Sequence, residues 1–131
     1  MIHDETVDRT TNGHGYVKDL TFSELRRLNA GKGEKIPTLE ETLKLTMGKA
    51  TLQVELKSPE AVEPTIHLIE RYKAEGEVVL LSFMHELLRK VHVLNPALRT
   101  GVLFFDVQGD ICQRALDVRS EAIHVYYQNM T

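Results

Sequence analysis

The 131-residue chain has one cysteine, no tryptophan and no apolar run long enough to cross a membrane as a helix. Because Cys112 has no second cysteine to pair with, an internal disulfide is excluded, and the composition is compatible with a reducing compartment. The first residues also lack the basic and apolar regions of a secretory signal peptide. Together these absences predict a cytoplasmic protein without a membrane span.

An excess of positive charge is also missing. The chain has 16 lysines and arginines against 19 aspartates and glutamates, and its formal net charge is −3. Proteins that bind nucleic acid usually present a strongly positive surface, so this balance gives no support for a nucleic acid partner. What the chain does have is 42% hydrophobic and 27% charged residues, which is typical of one globular domain with an apolar core.

Helix-like and strand-like segments alternate from Pro37 onward, without a long linker between them. The hydrophobic spacing predicts helices near 38–47, 60–75, 84–94 and 110–118, and strands near 50–57, 78–81, 100–105 and 122–127. Four strands with three crossover helices between them are typical of βα units in a parallel sheet. This periodicity fits an open doubly wound sheet and part of a (β/α)8 barrel equally well.

Glu55 and Lys57 stand two residues apart at the end of the first predicted strand, so their side chains should point to the same side. In a barrel, the carboxyl ends of the strands carry the active site. A carboxylate there can bind a hard cation, and an ammonium group can hold a phosphate oxygen. The spacing alone favours a simpler interpretation, which is a solvated salt bridge.

His3 is followed directly by two acidic residues, and a histidine with a nearby acid can transfer a proton near neutral pH. By itself, a histidine so close to the N-terminus is more typical of a mobile surface residue. Arg9 could donate to a phosphate, but Asp4 and Asp8 can both pair with it, which favours a structural role. His14 lies in a glycine-rich turn and is predicted to be a loop residue.

Three sequence blocks follow one another in a specific order. They are His-Asp-Glu-x-x-Asp-Arg-Thr-Thr at 3–11, Pro-Thr-Leu-Glu-Glu at 37–41 and Glu-Leu-Lys at 55–57. In these blocks the chain resembles the glycerophosphodiester phosphodiesterase family, and the first block is far less degenerate than a lone glycine motif. The resemblance covers nearly the whole chain, and its specific motifs lie within residues 2–57.

The resemblance implies a fold and an activity. The fold is an α/β partial (β/α)8 TIM barrel with about four parallel strands, because 131 residues amount to about half of a barrel. Residues 1–36 would carry the strand end with the catalytic histidine and a loop, and residues 37–131 would carry the βα units. Family members hydrolyse glycerophosphodiesters to glycerol 3-phosphate and an alcohol, with a divalent cation, Ca or Mg, at the barrel rim.

The resemblance also implies roles for individual residues. His3 would be a catalytic general acid or base, Glu55 a metal ligand and Lys57 a contact to the substrate phosphate. Ser82 follows an apolar strand at a position that lines the pocket in the family, so it is a candidate for substrate contact. His124, near the end of the last predicted strand, fits either a pocket-facing position or a position in the barrel core.

Parts of the family pattern have no counterpart in the 131 residues: a His-Arg-Gly strand, a Glu-x-Asp strand with two metal ligands, and two closing strands. Two hypotheses follow. The sequence belongs to a metal-dependent phosphodiesterase that is active when complete or when two fragments pair, or the chain is a non-catalytic half barrel or interaction module. In both cases, exposed barrel edges predict self-association.

Overall fold

A computed structural model of the chain describes residues 1–126. These residues divide into two compact units, of which one is Met1–Thr42 and the other begins at Leu43. The sequence predicts one domain with two segments, 1–36 and 37–131, and these bounds stay a prediction. No helix in the described part of the chain is long and apolar enough to cross a membrane.

The first unit is held mainly by hydrogen bonds within loops. Val7 is fully buried, and its N–H donates to the carbonyl of Gly15 at 3.0 Å. The carbonyl of Val7 accepts from the N–H of Thr11 at 3.1 Å and from the Thr11 hydroxyl at 2.7 Å. Two isolated antiparallel bridges add to these bonds, Thr6–Tyr16 and Asn29–Lys35. The loop that follows His3 therefore has a defined path.

The elements of the first unit are a 3-10 turn at Val17–Asp19, the short helix α1 at Phe22–Leu25 and the start of α2, Leu39–Thr46. The start of α2 is a capping box, because Thr38 N–H donates to Glu41 Oε2 at 2.8 Å and Glu41 N–H donates to Thr38 Oγ1 at 3.1 Å. Both carboxylate oxygens of Glu41 also accept from the guanidinium of Arg26. One carboxylate therefore fixes the start of α2 and connects it to the residue that ends α1.

The second unit consists of βα units. Its strands are β1 (Leu52–Glu55), β2 (Val78–Ser82), β3 (Arg99–Phe104) and β4 (Ala122–Val125). Its helices are α3 (Val62–Tyr72) after a 3-10 turn at Pro59–Ala61, α4 (His85–Leu94) and α5 (Ile111–Asp117). The four strands lie side by side in chain order and are all parallel, which confirms the predicted sheet. Residue 127, predicted to end the last strand, lies outside the described residues.

One face of the sheet packs against helices. Val102 and Phe104 of β3 are buried in a cluster with side chains of α4 and α5. The ring of His85 meets Phe104 edge-on with centroids 4.9 Å apart, and the Arg114 guanidinium lies 4.5 Å from the Phe104 centroid. The helix side of the sheet therefore carries the buried side chains of Val102 and Phe104.

A polar network lies at the amino end of β3. His92 of α4 has its Nε2 2.9 Å from the hydroxyl of Thr100, and that hydroxyl is 2.9 Å from the hydroxyl of Ser120. Burial lowers the pKa of His92 below its ordinary value, and the positive charge of Arg119 lowers it further. The imidazole is therefore neutral near pH 7.

We expect this network to make the free energy of unfolding depend on pH. The pKa of His92 is lower in the folded chain than in the unfolded chain. The contribution of His92 to the free energy of unfolding is therefore fully present above the unfolded pKa of about 6.5. It is lost as the pH falls through the folded pKa. Urea unfolding at about pH 7.5 and about pH 5.5 measures this effect.

The loss of unfolding free energy between the two pH values should be smaller in His92→Gln than in the wild type. His67→Gln is the matched control, because His67 is an exposed histidine of the same unit. An identical loss in all three proteins would contradict a role for His92.

Candidate active site

The face of the sheet opposite α4 and α5 carries Glu55, the charged residue at the end of β1. Glu55 pairs in register with Leu81, and Leu81 pairs with Gly101, so these three residues share the face that Val102 does not. Lys57 continues the Glu55 side just beyond the end of β1, and its Nζ lies 3.4 Å from Glu55 Oε2. The structure therefore brings Glu55 and Lys57 together at the carboxyl edge of the sheet. Their roles as metal ligand and phosphate contact stay predictions.

Ser82 lies at the same edge but has a different contact from the predicted one. It is fully buried and pairs in register with Val102, which places it on the helix side of the sheet. Its hydroxyl donates to the carbonyl of Leu56 at 2.8 Å and accepts from the N–H of Met84 at 3.0 Å. Ser82 thus joins the ends of β1 and β2, and its predicted contact with substrate stays a prediction.

Two aromatic side chains lie at the carboxyl edge, and sequence reasoning did not select them. Phe83 directly follows β2 and Phe105 directly follows β3, and their rings stack with centroids 4.0 Å apart and planes 9° apart. Their exposed fractions are 36% and 66%. The sequence does carry a signal for Phe83, because successive side chains of a strand point to opposite faces and Phe83 therefore lies on the opposite face from Ser82.

His124 lies on the same face of the sheet as Glu55, in register with Leu103. Its Nε2 is buried and has no hydrogen-bond partner among the residues that the structure describes. A Cβ at Gly101 would lie 3.3 Å from Cδ2 of His124 and 2.7 Å from Cδ2 of Leu81. Because Gly101 has no Cβ, there is room for the imidazole over β3. This arrangement favours the core position for His124.

In the first unit, His3 is part of a chain of three polar side chains. Nδ1 of His3 lies 2.9 Å from Oδ1 of Asp4, and Arg9 donates to the same carboxylate through Nε at 2.6 Å and Nη2 at 2.8 Å. The Arg9 bonds, and next the His3 bond, hold the pKa of Asp4 far below its ordinary value. Arg9 therefore pairs with an acid, as the sequence predicts, and that acid is Asp4.

Asp8, the other acid considered for Arg9, has partners within its own loop. Its Oδ2 accepts from the N–H of Gly15 at 3.0 Å, and its Oδ1 lies 3.0 Å from Nδ1 of His14. The Gly15 bond and then the His14 bond lower the pKa of Asp8. His14 has an exposed side chain and lies in the loop, where the sequence places it.

The predicted divalent cation would need more oxygen ligands than the described residues bring together. Ca²⁺ takes about six to eight oxygen ligands, and Mg²⁺ requires near-octahedral coordination. Within residues 1–126 there is no group of three or more histidine, cysteine, aspartate or glutamate side chains placed to hold a metal ion. Glu55 offers one carboxylate, and the ammonium of Lys57 lies beside it. These residues do not complete a cation site by themselves.

Comparisons of the sequence with known proteins all indicate the same family. The sequence pattern of the glycerophosphoryl diester phosphodiesterase family matches residues 1–120. A glycerophosphodiester phosphodiesterase from Caldanaerobacter subterraneus subsp. tengcongensis is 39% identical over an alignment that covers 99% of this chain and 59% of that protein. One from Bacillus subtilis is 37% identical over 76% of this chain and 43% of that protein. The chain spans about half the length of these relatives.

A solved structure shows the same fold. An Oleispira antarctica phosphodiesterase in complex with the product sn-glycerol-3-phosphate has a TM-score of 0.90 and 22% identity, and the match covers 99% of this chain and 58% of that one. The four parallel strands and their helices are thus part of an α/β barrel, which confirms the predicted partial (β/α)8 fold. The three sequence blocks follow one another in a specific order, and the family match covers most of the chain. The chain therefore belongs to the glycerophosphoryl diester phosphodiesterase family.

Proposed function

We propose that this chain takes part in the hydrolysis of glycerophosphodiesters to glycerol 3-phosphate and an alcohol. The observation that carries the proposal is the pair of Glu55 and Lys57 at the carboxyl edge of parallel strands, in a chain of this family. The names of the two relatives support the class of reaction. The product bound to the Oleispira antarctica enzyme is the product expected here.

Lys57 would hold the substrate phosphate. An ammonium group is a compact positive charge that suits a phosphate oxygen, and the side chain of Lys57 is 44% exposed. Its ion pair with Glu55 measures 3.4 Å, which is longer than the roughly 2.8 Å of a direct charge-assisted hydrogen bond. A phosphate oxygen can therefore compete with Glu55 for the ammonium.

His3 would transfer the proton that the reaction requires. In hydrolysis, a bond forms between phosphorus and a water oxygen, which releases a proton, while the bond from phosphorus to the alcohol oxygen breaks and that oxygen takes up a proton. Nδ1 of His3 faces Asp4, so Nε2 is the nitrogen that can give or accept this proton. The side chain of His3 is 76% exposed, which leaves it accessible to a substrate.

The stacked rings of Phe83 and Phe105 would contact the carbon atoms of the substrate. Binding sites for small molecules usually combine apolar surface with a few polar groups that fix orientation. The carboxyl edge offers both, because the stacked rings follow β2 and β3, while Glu55 and Lys57 lie at the carboxyl end of the neighbouring strand β1. This combination suits a substrate in which a charged phosphate joins two organic groups.

We also propose that Glu55 is one ligand of a divalent cation, Ca or Mg. Both cations prefer oxygen donors, and a bound cation supplies neutralisation of phosphate charge and a lower pKa for a bound water. Because residues 1–126 do not complete such a site, the remaining oxygen ligands would come from outside them.

Cation binding by the 131-residue chain tests the role of Glu55. We expect calorimetric titration with CaCl2 or MgCl2 to show weak binding, with a Kd of about 1 mM or weaker, because one carboxylate makes an incomplete site. Glu55→Gln should weaken this binding about tenfold or more, since it removes the charged donor.

Glu63→Gln is the matched control for this titration. Glu63 is also paired with a lysine, Lys90, at 2.7 Å, but it lies on α3 and outside the proposed site. Equal cation binding by the wild type and Glu55→Gln would remove Glu55 from the set of ligands.

Release of glycerol 3-phosphate from glycerophosphocholine tests the reaction and the role of His3. With Mg or Ca present, and EDTA as the control, His3→Ala should lower turnover by about two to four orders of magnitude while cation binding persists. His14→Ala is the matched variant, because His14 is an exposed histidine of the same unit. Full turnover in His3→Ala would exclude proton transfer by His3.

A second candidate function is that of a non-catalytic half barrel or interaction module. It is favoured by the incomplete set of metal ligands in the described part of the chain. Cation-dependent turnover by the purified chain would support the enzyme, whereas a folded chain without turnover would support the module.

Self-association is predicted under both candidate functions. In the described sheet, β1 and β4 each have one neighbouring strand, and an unpaired strand edge can pair with another chain. We expect sedimentation velocity over a range of protein concentrations to show dimers or larger species. A monomer at every concentration would contradict association through these strand edges.

A further inference from the structure

We propose that Arg9 is a positioning residue that acts through Asp4 on His3 and fixes which imidazole nitrogen exchanges the proton. The inference rests on the proposed function, in which His3 transfers a proton. It differs from a direct role of Arg9 in holding the substrate phosphate.

The geometry places Asp4 between the two other side chains. Arg9 Nε donates to Oδ2 at 2.6 Å and Arg9 Nη2 donates to Oδ1 at 2.8 Å, which is the two-point contact of a guanidinium with a carboxylate. Oδ1 also lies 2.9 Å from Nδ1 of His3. Since a guanidinium and a carboxylate are both planar, the two-point contact sets the orientation of the carboxylate that His3 meets.

The carboxylate of Asp4 is ionised at neutral pH and can only accept hydrogen bonds. Arg9 is the first cause of its lowered pKa and His3 is the second. In the neutral imidazole, the nitrogen that faces this carboxylate must therefore carry the hydrogen. Nδ1 then donates to Asp4, and Nε2 keeps the lone pair that can take a proton from a reacting group.

The backbone around Arg9 is fixed on both sides. Before it, the carboxylate of Asp8 accepts from the N–H of Gly15 at 3.0 Å. Beyond it, the N–H of Thr11 donates to the carbonyl of the buried residue Val7 at 3.1 Å. The guanidinium of Arg9 therefore extends from a defined position in the loop, and it can hold Asp4 more rigidly than an arginine on a mobile segment could.

Nitrogen NMR of the chain, labelled with ¹⁵N at histidine and kept at about pH 8 where imidazole is neutral, tests the inference. His3→Gln identifies the His3 signals among the six histidines. In the wild type, Nδ1 of His3 should have the shift of a protonated nitrogen and Nε2 that of a nitrogen with a lone pair. In Arg9→Ala, both shifts should move toward a common intermediate value, because the two tautomers then mix.

Two further variants make the result specific. Arg9→Lys keeps the charge but loses the fork of donors, so its shifts should lie between those of the wild type and Arg9→Ala. Arg27→Ala removes an exposed arginine of the same unit, and Arg27 has no hydrogen bond to Asp4. Its His3 shifts should equal those of the wild type.

An unchanged His3 tautomer in Arg9→Ala would overturn the inference. Val7 N–H donates to the carbonyl of Gly15 and Gly15 N–H donates to the Asp8 carboxylate, so protection of these two amide hydrogens from exchange shows whether the loop is intact in each variant. If Arg9→Ala loses this protection, the comparison of Arg9→Lys with the wild type decides, and equal shifts in those two proteins would also overturn the inference.

Turnover of glycerophosphocholine separates this inference from the proposed function. A positioning role predicts that Arg9→Ala lowers kcat about tenfold and leaves KM unchanged, because binding is kept and proton transfer is slowed. A raised KM with an unchanged tautomer would assign Arg9 to the phosphate and overturn the inference. A changed tautomer with an unchanged kcat would uphold the positioning of His3 and overturn its role in proton transfer.

Discussion

The parallel register of the four strands is the constraint on which the rest of the second unit depends. Partner residues on adjacent parallel strands present their side chains to the same face, so one pairing decides the orientation of all the others. The pairing that places Val102 on the face that packs against the helices also places Glu55 on the opposite face. A slip by one residue would exchange the two faces and bury the charged pair. The same hydrogen bonds therefore specify both the apolar core and the charged edge.

The regular elements could be predicted from sequence because their signals are local. The capping box of Thr38 and Glu41 spans four residues, and the predicted helix at 38–47 agrees closely with the observed Leu39–Thr46. The apolar alternation around Glu55 likewise lies within one strand. The choice of a partial barrel was different, because periodicity fits an open sheet equally well, and that choice depended on the family motifs.

The side-chain partners could be predicted less completely because they depend on the path of the chain. Sequence alone made Asp4 and Asp8 equal candidates for Arg9, and the turn that brings the Gly15 N–H to Asp8 decides between them. The contact of His92 with Thr100 joins a helix to a strand and has no local signature. Ser82 is a candidate because the family resemblance places its strand end at the pocket, whereas the pairing of β2 with β3 determines which face of the sheet it takes.

The buried hydroxyl of Ser82 has a mechanical consequence for the edge above it. It is bonded to the carbonyl of Leu56, whose chain neighbours are Glu55 and Lys57, and the chain neighbour of Ser82 is Phe83. This hydrogen bond therefore joins the backbone next to Glu55 and Lys57 to the backbone next to Phe83. The charged and aromatic parts of the edge are thus linked through a hydroxyl that solvent does not reach, so water does not compete for this link.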